Sequence, residues 1–185
     1  MTYCFVLLIA LAAPAFCGSY SLQLTPANTR IEWTLSDFLH GVHGTFELKR
    51  GNIRFDTDSG KAAGEVIVDT ASGDSGSGAR DRRMHKSIIE SAKYTEAVFT
   101  PDRLEGKLAL QGTSNLKLHG TFRIHGGDHE MTMDVQAKVE SERMLAEITF
   151  DVPYVDWGMK NPSTLLLRCG KKVQVAIHAK MAMEP

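Results

Sequence analysis

Seven histidines, His40, His43, His85, His119, His125, His129 and His178, are the side chains of this 185-residue chain best suited to chemistry. Imidazole changes charge near neutral pH and is the commonest metal ligand, so a converging set could hold a metal ion or a haem. The strongest set is His40-Gly-Val-His43 with His85 and His129 at one opening. On a strand, positions i and i+3 point to opposite faces, so His40 and His43 meet only if Asp37 to Gly44 turns or coils. No spacing matches a recognised metal motif, and no metal site is expected. His129-Glu-Met-Thr-Met133 lacks the second histidine of the helical zinc-protease motif. The stretch SGDSGSGARDRRMHK, Ser72 to Lys86, contains no Gly-x-Ser-x-Gly elbow, and His85 stands where a phosphate loop needs glycine before Lys86-Ser87. Asp81 and His85, four apart, could orient an imidazole, yet no nucleophile is identifiable beside them. The chain reads as non-enzymatic, with no catalytic residue and no cofactor.

Charge narrows the partners. Lysine and arginine number 21 against 22 acidic residues, a formal net charge of −1, so there is no overall electrostatic footprint for nucleic acid. Residues 1–17 are apolar and uncharged, shorter than a spanning helix needs, and end in small residues at Ala13, Ala15 and Cys17. They read as an export signal removed near Ala15 to Cys17, leaving a domain over 18–185 in a periplasmic or secreted location. Of the three cysteines only Cys169 lies beyond that signal, so no disulfide framework supports the domain.

The elements that must position these residues are strands. Ile31, Trp33 and Leu35 alternate with polar neighbours; so do Ile53 and Phe55, Met131 through Val139, Ile148 through Val152, and Val173 through Met181. Period-two alternation puts one row inward and the other in water, as half-buried antiparallel strands require. Turn residues at Asp58-Ser-Gly60, Gly126-Gly-Asp128, Ser141-Glu-Arg143 and Cys169-Gly-Lys171 suit hairpins. About eight hairpin-linked strands in one domain favour an all-β, lipocalin-like, up-and-down antiparallel barrel over a sandwich, because closure removes exposed edges. The Ser/Gly run is the exception. After it, Ala79 to Ser91 reads as a short amphipathic helix laid across the barrel, with Met84, Ile88 and Ile89 closing one end of a cavity.

Ser75-Gly-x-Gly-x-Arg80-Asp81-x-x-Met84, followed by Lys93-Tyr94 and Val98-Phe99, resembles the signature of the YceI-like family of exported lipid-binding proteins. Trp33-Thr-Leu, Gly41-Val-His-Gly-Thr-Phe46, Gly51-x-Ile-x-Phe55-Asp56, Val152-Pro-Tyr-Val-Asp-Trp-Gly158 and Pro162-Ser163 extend the similarity from about Tyr20 to the carboxyl terminus. The resemblance implies a barrel with an elongated apolar lumen for an isoprenoid chain, a quinone tail or another long amphiphile. The expected function is sequestration or transport of such a lipid, with transient membrane contact; a histidine-based metal or haem module on the same scaffold is the alternative. Candidate lumen residues are Trp33, Phe38, Phe46, Phe55, Met84, Ile88, Phe99, Met131, Met133, Phe150 and Trp157. Candidates for the head group or mouth are His40, His43, Arg80, His85, His129 and Tyr154.

Overall fold

The computed structural model describes residues 18–36, 41–164 and 168–184. The expected export signal, Phe38 and His40 lie outside the described residues. Nine strands form one antiparallel sheet: β1 (Ser19–Leu24), β2 (Thr29–Ser36), β3 (Gly41–Asp56), β4 (Ala62–Asp74), β5 (Glu96–Glu105), β6 (Gly112–Ile124), β7 (Gly127–Glu140), β8 (Arg143–Val152) and β9 (Val173–Ala182). The sheet closes through β3 and β4. Closure pairs β2 through β9 on both sides, while the short β1 pairs with β3 and meets only an isolated bridge from Ser21 to Glu184 on its other side, so no long edge is left to attract another chain. The sandwich is thereby excluded.

β1 and β2 share one wall position, so nine strands make eight staves. β1 pairs with Gly51 to Asp56 of β3, and β2 with Gly41 to Phe46 of the same strand. Between them Asn28 holds the break together. Its Oδ1 accepts from the Thr25 amide at 2.8 Å, its Nδ2 donates to the Gln23 carbonyl at 3.0 Å, and its own carbonyl accepts from Lys180. The long β3 carries register shifts between Thr45 and Glu47 and between Leu48 and Arg50. Such bulges bend a strand and add the twist that closure demands.

Connections alternate between the two ends. One end carries the β3–β4, β5–β6 and β7–β8 turns. The last of these turns on Ser141 and Glu142, both left-handed at φ 48° and 63°, the geometry that matches strand twist in a two-residue hairpin. The other end carries the β6–β7 turn, the excursion from Ser75 to Thr95 and the long connection from Pro153 to Lys172. No hairpin forms at Cys169-Gly-Lys171, because those residues are the end of that long connection.

The excursion is a helix, though shorter and less regular than its periodicity suggests. α1 spans Gly78–Arg83, and a wide π turn, Met84–Ile88, continues it. Glu90, left-handed at φ 53°, ends it before Ser91. The Glu90 carboxylate lies 2.8 Å from Nε2 of His125, a residue that is itself left-handed at φ 52°. This contact ties the end of the excursion to the β6–β7 turn.

Candidate functional site

A cavity of about 1040 Å³ occupies the half of the barrel beneath α1. It matches the upper end of the about 300–1,000 Å³ typical of small-molecule sites. Strand register builds its wall in layers. Phe46, Ile31, Ile177 and Ile148 lie opposite one another across β3, β2, β9 and β8, and Trp33, Val175 and Phe150 form the next layer toward the mouth. Val66, Phe99 and Phe122 line the facing side across β4, β5 and β6. Leu118 and Met133, paired between β6 and β7, lie deeper.

Toward the other end the β7, β8 and β9 side is packed, while Thr29, Leu24 and Ile53 still border the cavity opposite it. Ala179, Ala146 and Ala137 form one buried layer, and Met181, Met144 and Val139 the next; none of them borders the cavity. The interior is therefore a cup with a packed floor. Small residues in the alanine layer and large ones beyond it are buried against one another at that end.

Of the lumen candidates, Trp33, Phe46, Met84, Ile88, Phe99, Met133 and Phe150 border the cavity. Three others do not. Phe55 lies in the filled half, 5 % exposed, with its ring 5.7 Å from that of Tyr20. Met131 occupies the inward row of β7 but packs on the core to one side of the void. Trp157 packs on the inner face beside the cavity: its ring lies 6.0 Å from that of the wall residue Phe122 and stacks at 4.0 Å and 7° on His129, which pairs with Phe122. Sequence reasoning did not single out Phe122, Leu118, Ile124 or Val68 as lining residues. The inward rows that carry Ile31, Ile148, Val175 and Ile177 were the available signal.

Glycines let the wall come together. At Gly73 an added Cβ would lie 2.6 Å from the Phe46 ring and 2.7 Å from the Met84 methyl. Only a bare backbone lets the helix residue and the barrel residue meet across β4. The mouth candidates separate into different roles. His43, Arg80 and Tyr154 border the cavity. His85 instead braces the excursion, donating from Nε2 to the Gly73 carbonyl at 2.9 Å, with Nδ1 3.2 Å from the Ser91 hydroxyl. His129 is engaged by Trp157. Among the described residues no three His, Cys, Asp or Glu side chains gather as a metal ion would require.

Tyr154 fixes the rim. Its hydroxyl donates to the Gly170 carbonyl at 2.7 Å, and the Gly170 amide donates to Ser36 at the end of β2. Burial pushes the phenol up to about 12, with a smaller contribution from Cys169. The folded state keeps this proton to higher pH than the unfolded chain, whose tyrosine titrates near 10. Stability contributed by the neutral phenol is thus complete below pH 10 and is lost as pH rises toward 12. Tyr154→Phe should remove that pH dependence and lower stability by about 1 kcal/mol, because the half-buried Gly170 carbonyl loses its short donor and keeps only the Asn161 amide at 3.5 Å. Thermal melts at pH 8 and pH 11 would measure both effects.

The closed eight-stave wall around a one-ended apolar cup defines a lipocalin-type barrel. The chain belongs to the YceI-like domain family, whose model matches residues 22–181. Similar solved structures include a polyisoprenoid-binding domain from Saccharophagus degradans implicated in plant cell wall breakdown, at 18 % identity and TM-score 0.65, covering 89 % of this chain and 98 % of that one. BcnA of Burkholderia cenocepacia is 15 % identical with TM-score 0.69, covering 85 % and 98 %. A YceI protein of Campylobacter jejuni is 19 % identical with TM-score 0.63, covering 80 % and 87 %. No curated protein matches the chain significantly.

Proposed function

We propose that this protein is a non-catalytic carrier that takes a long-chain amphiphile, an isoprenoid in the first instance, by its tail and works outside the cytoplasm. The observation that carries the reading is the apolar cup, about 1040 Å³, roofed by Met84, Ile88 and Ile89. Each methylene moved from water to such a wall gains about 0.8 kcal/mol, so one five-carbon unit is worth roughly 4 kcal/mol before ordering costs. The polyisoprenoid-binding neighbour from Saccharophagus degradans supports the same ligand class.

The reading predicts a chain-length ladder. Trp33 borders the cavity and reports occupancy by its fluorescence, and a Trp157→Phe background removes the second indole, which packs on the wall residue Phe122. Titration with geraniol, farnesol and geranylgeraniol should show affinity rising at least about tenfold per five-carbon unit until the cup is full. Affinity independent of chain length would contradict tail burial.

A further inference from the structure

The near-zero net charge conceals a strong asymmetry. The excursion, 75–95, and the long connection, 153–172, together carry nine of the 21 lysines and arginines but three of the 22 acidic residues. Both segments border the cavity, the excursion through Arg80, Met84 and Ile88 and the connection through Pro162 and Cys169. Two stretches far apart in sequence thus flank one mouth with charge of one sign.

The excursion turns that charge outward. Met84, Ile88 and Ile89 face the cavity, while Arg82, Lys86 and Lys93 are exposed. Arg82 and Lys86 have no hydrogen-bond or ion-pair partner among the described residues. The two acids of the excursion hold the fold together instead: Asp81 accepts from the Ser75 amide at 3.0 Å and from its hydroxyl at 2.5 Å, and Glu90 meets His125 at 2.8 Å. In the connection Lys160, Arg168 and Lys171 are exposed, and Asp156 is the one acid. The β6–β7 turn at the same end is balanced, with Arg123 3.9 Å from Asp128. At the far end of the barrel Arg103 is matched by Glu105 at 3.0 Å and Lys138 by Glu140 at 2.8 Å.

Unpaired cations gathered on one side add their attraction to a negatively charged surface lying within a Debye length. Charge spread over two connections on either side of an opening suits an extended negative plane better than a point ligand. A segment with an apolar face and a basic one is the pattern of a membrane-surface element. The patch also surrounds the opening of an apolar cavity, which a bilayer has chains to fill and an acidic protein surface does not. We propose that this end of the barrel docks on an anionic bilayer, with Arg82 and Lys86 on one side of the mouth and Lys160 and Lys171 on the other meeting lipid phosphates, so that the cavity opens toward the membrane.

The test sediments the full chain with phosphatidylcholine vesicles, either pure or containing one third phosphatidylglycerol. Pure phosphatidylcholine registers whatever the apolar residues 1–17 contribute, so the difference between the two vesicles reads the charge. Binding to the anionic vesicles should be at least about tenfold tighter at low salt, and the advantage should fade as salt shortens the Debye length. Arg82→Glu with Lys86→Glu should remove most of the advantage. Lys160→Glu with Lys171→Glu should remove a comparable part, which guards against a folding defect confined to the excursion. Lys61→Glu with Lys107→Glu makes the same change of net charge at the far end and should keep the advantage. None of these side chains borders the cavity, so geranylgeraniol affinity should stay within a few-fold of the parent in every variant, and docking and tail binding can fail separately. Equal binding to both vesicles, an advantage that survives both mouth-end pairs, or one that falls as far in the far-end pair overturns the docking face. Polyglutamate bound as tightly as the anionic vesicles, through the same four residues, would make the patch a site for an acidic protein and likewise overturn it.

Discussion

Met133→Arg should empty the barrel of its ligand without unfolding it, lowering affinity for a long-chain probe about a hundredfold or more. Met133 is 3 % exposed and borders the cavity from β7, opposite Leu118. An arginine there has two very different surroundings. In the empty protein a cavity of about 1040 Å³ has room for many waters, each needing about 30 Å³, so the charge stays hydrated. With a tail in place those waters leave, and the effective cost of stripping an ion is several kcal/mol, enough for the stated loss. Met131→Arg supplies the control. It changes the same inward row of β7 but lies off the cavity wall, and should bind within a few-fold of the parent. Circular dichroism would confirm that both variants keep their sheet. Retained binding in Met133→Arg would remove that position from the ligand's path.

Gly44→Ala should be the most damaging small substitution near the mouth, costing about 2–3 kcal/mol and lowering the thermal midpoint by roughly 5–10 °C. Gly44 pairs with Trp33, and the indole lies across the space a side chain would occupy. An added Cβ would sit 2.4 Å from Trp33 Cζ2 and 2.4 Å from the Asp74 carbonyl oxygen. The indole can move, at the expense of its place on the cavity wall and of its 3.4 Å hydrogen bond to the Thr45 carbonyl. The carbonyl belongs to the β4 backbone and cannot yield without parting β3 from β4. Trp33→Leu in the Gly44→Ala background should therefore recover only part of the loss. Calorimetry of the single and double variants measures each share, and an unchanged midpoint in Gly44→Ala would contradict the packing described at this seam.

Alternation made the strands legible, and with them the closed barrel. β7 shows why: Met133, Val135, Ala137 and Val139 are buried while each intervening residue is exposed, a pattern that admits one reading. Parity along one strand does not survive a bulge, however. On β3, Phe46, Leu48, Gly51, Ile53 and Phe55 all face inward, although the odd and even sets cannot share a face on a regular strand; the irregularity at Leu48 to Arg50 exchanges them. Nor does alternation say at what height an inward residue lies. Phe46 borders the cup and Phe55 fills its floor because of register with neighbouring strands, which no single segment encodes. Trp157 stands beside the cavity and not on its border for a related reason. Its proline-to-glycine turn folds against β6 and β7, where Phe122 and His129 receive the indole. The helix was visible in the four-residue spacing of Met84 and Ile88; its early end, set by the left-handed Glu90 and the His125 contact, was not. Arg83 is exposed, as a charge cluster on a short helix ordinarily is, and only the placement of α1 over the barrel brings it to the cavity border.

The most direct measurement is native mass spectrometry of the full chain purified from cells without added lipid, with solvent extraction of whatever it carries. Each barrel should release one long-chain amphiphile, and Met133→Arg protein prepared in parallel should release none. Empty parent protein that also fails to take up any long-chain probe would contradict the claim that the cup exists to hold a tail.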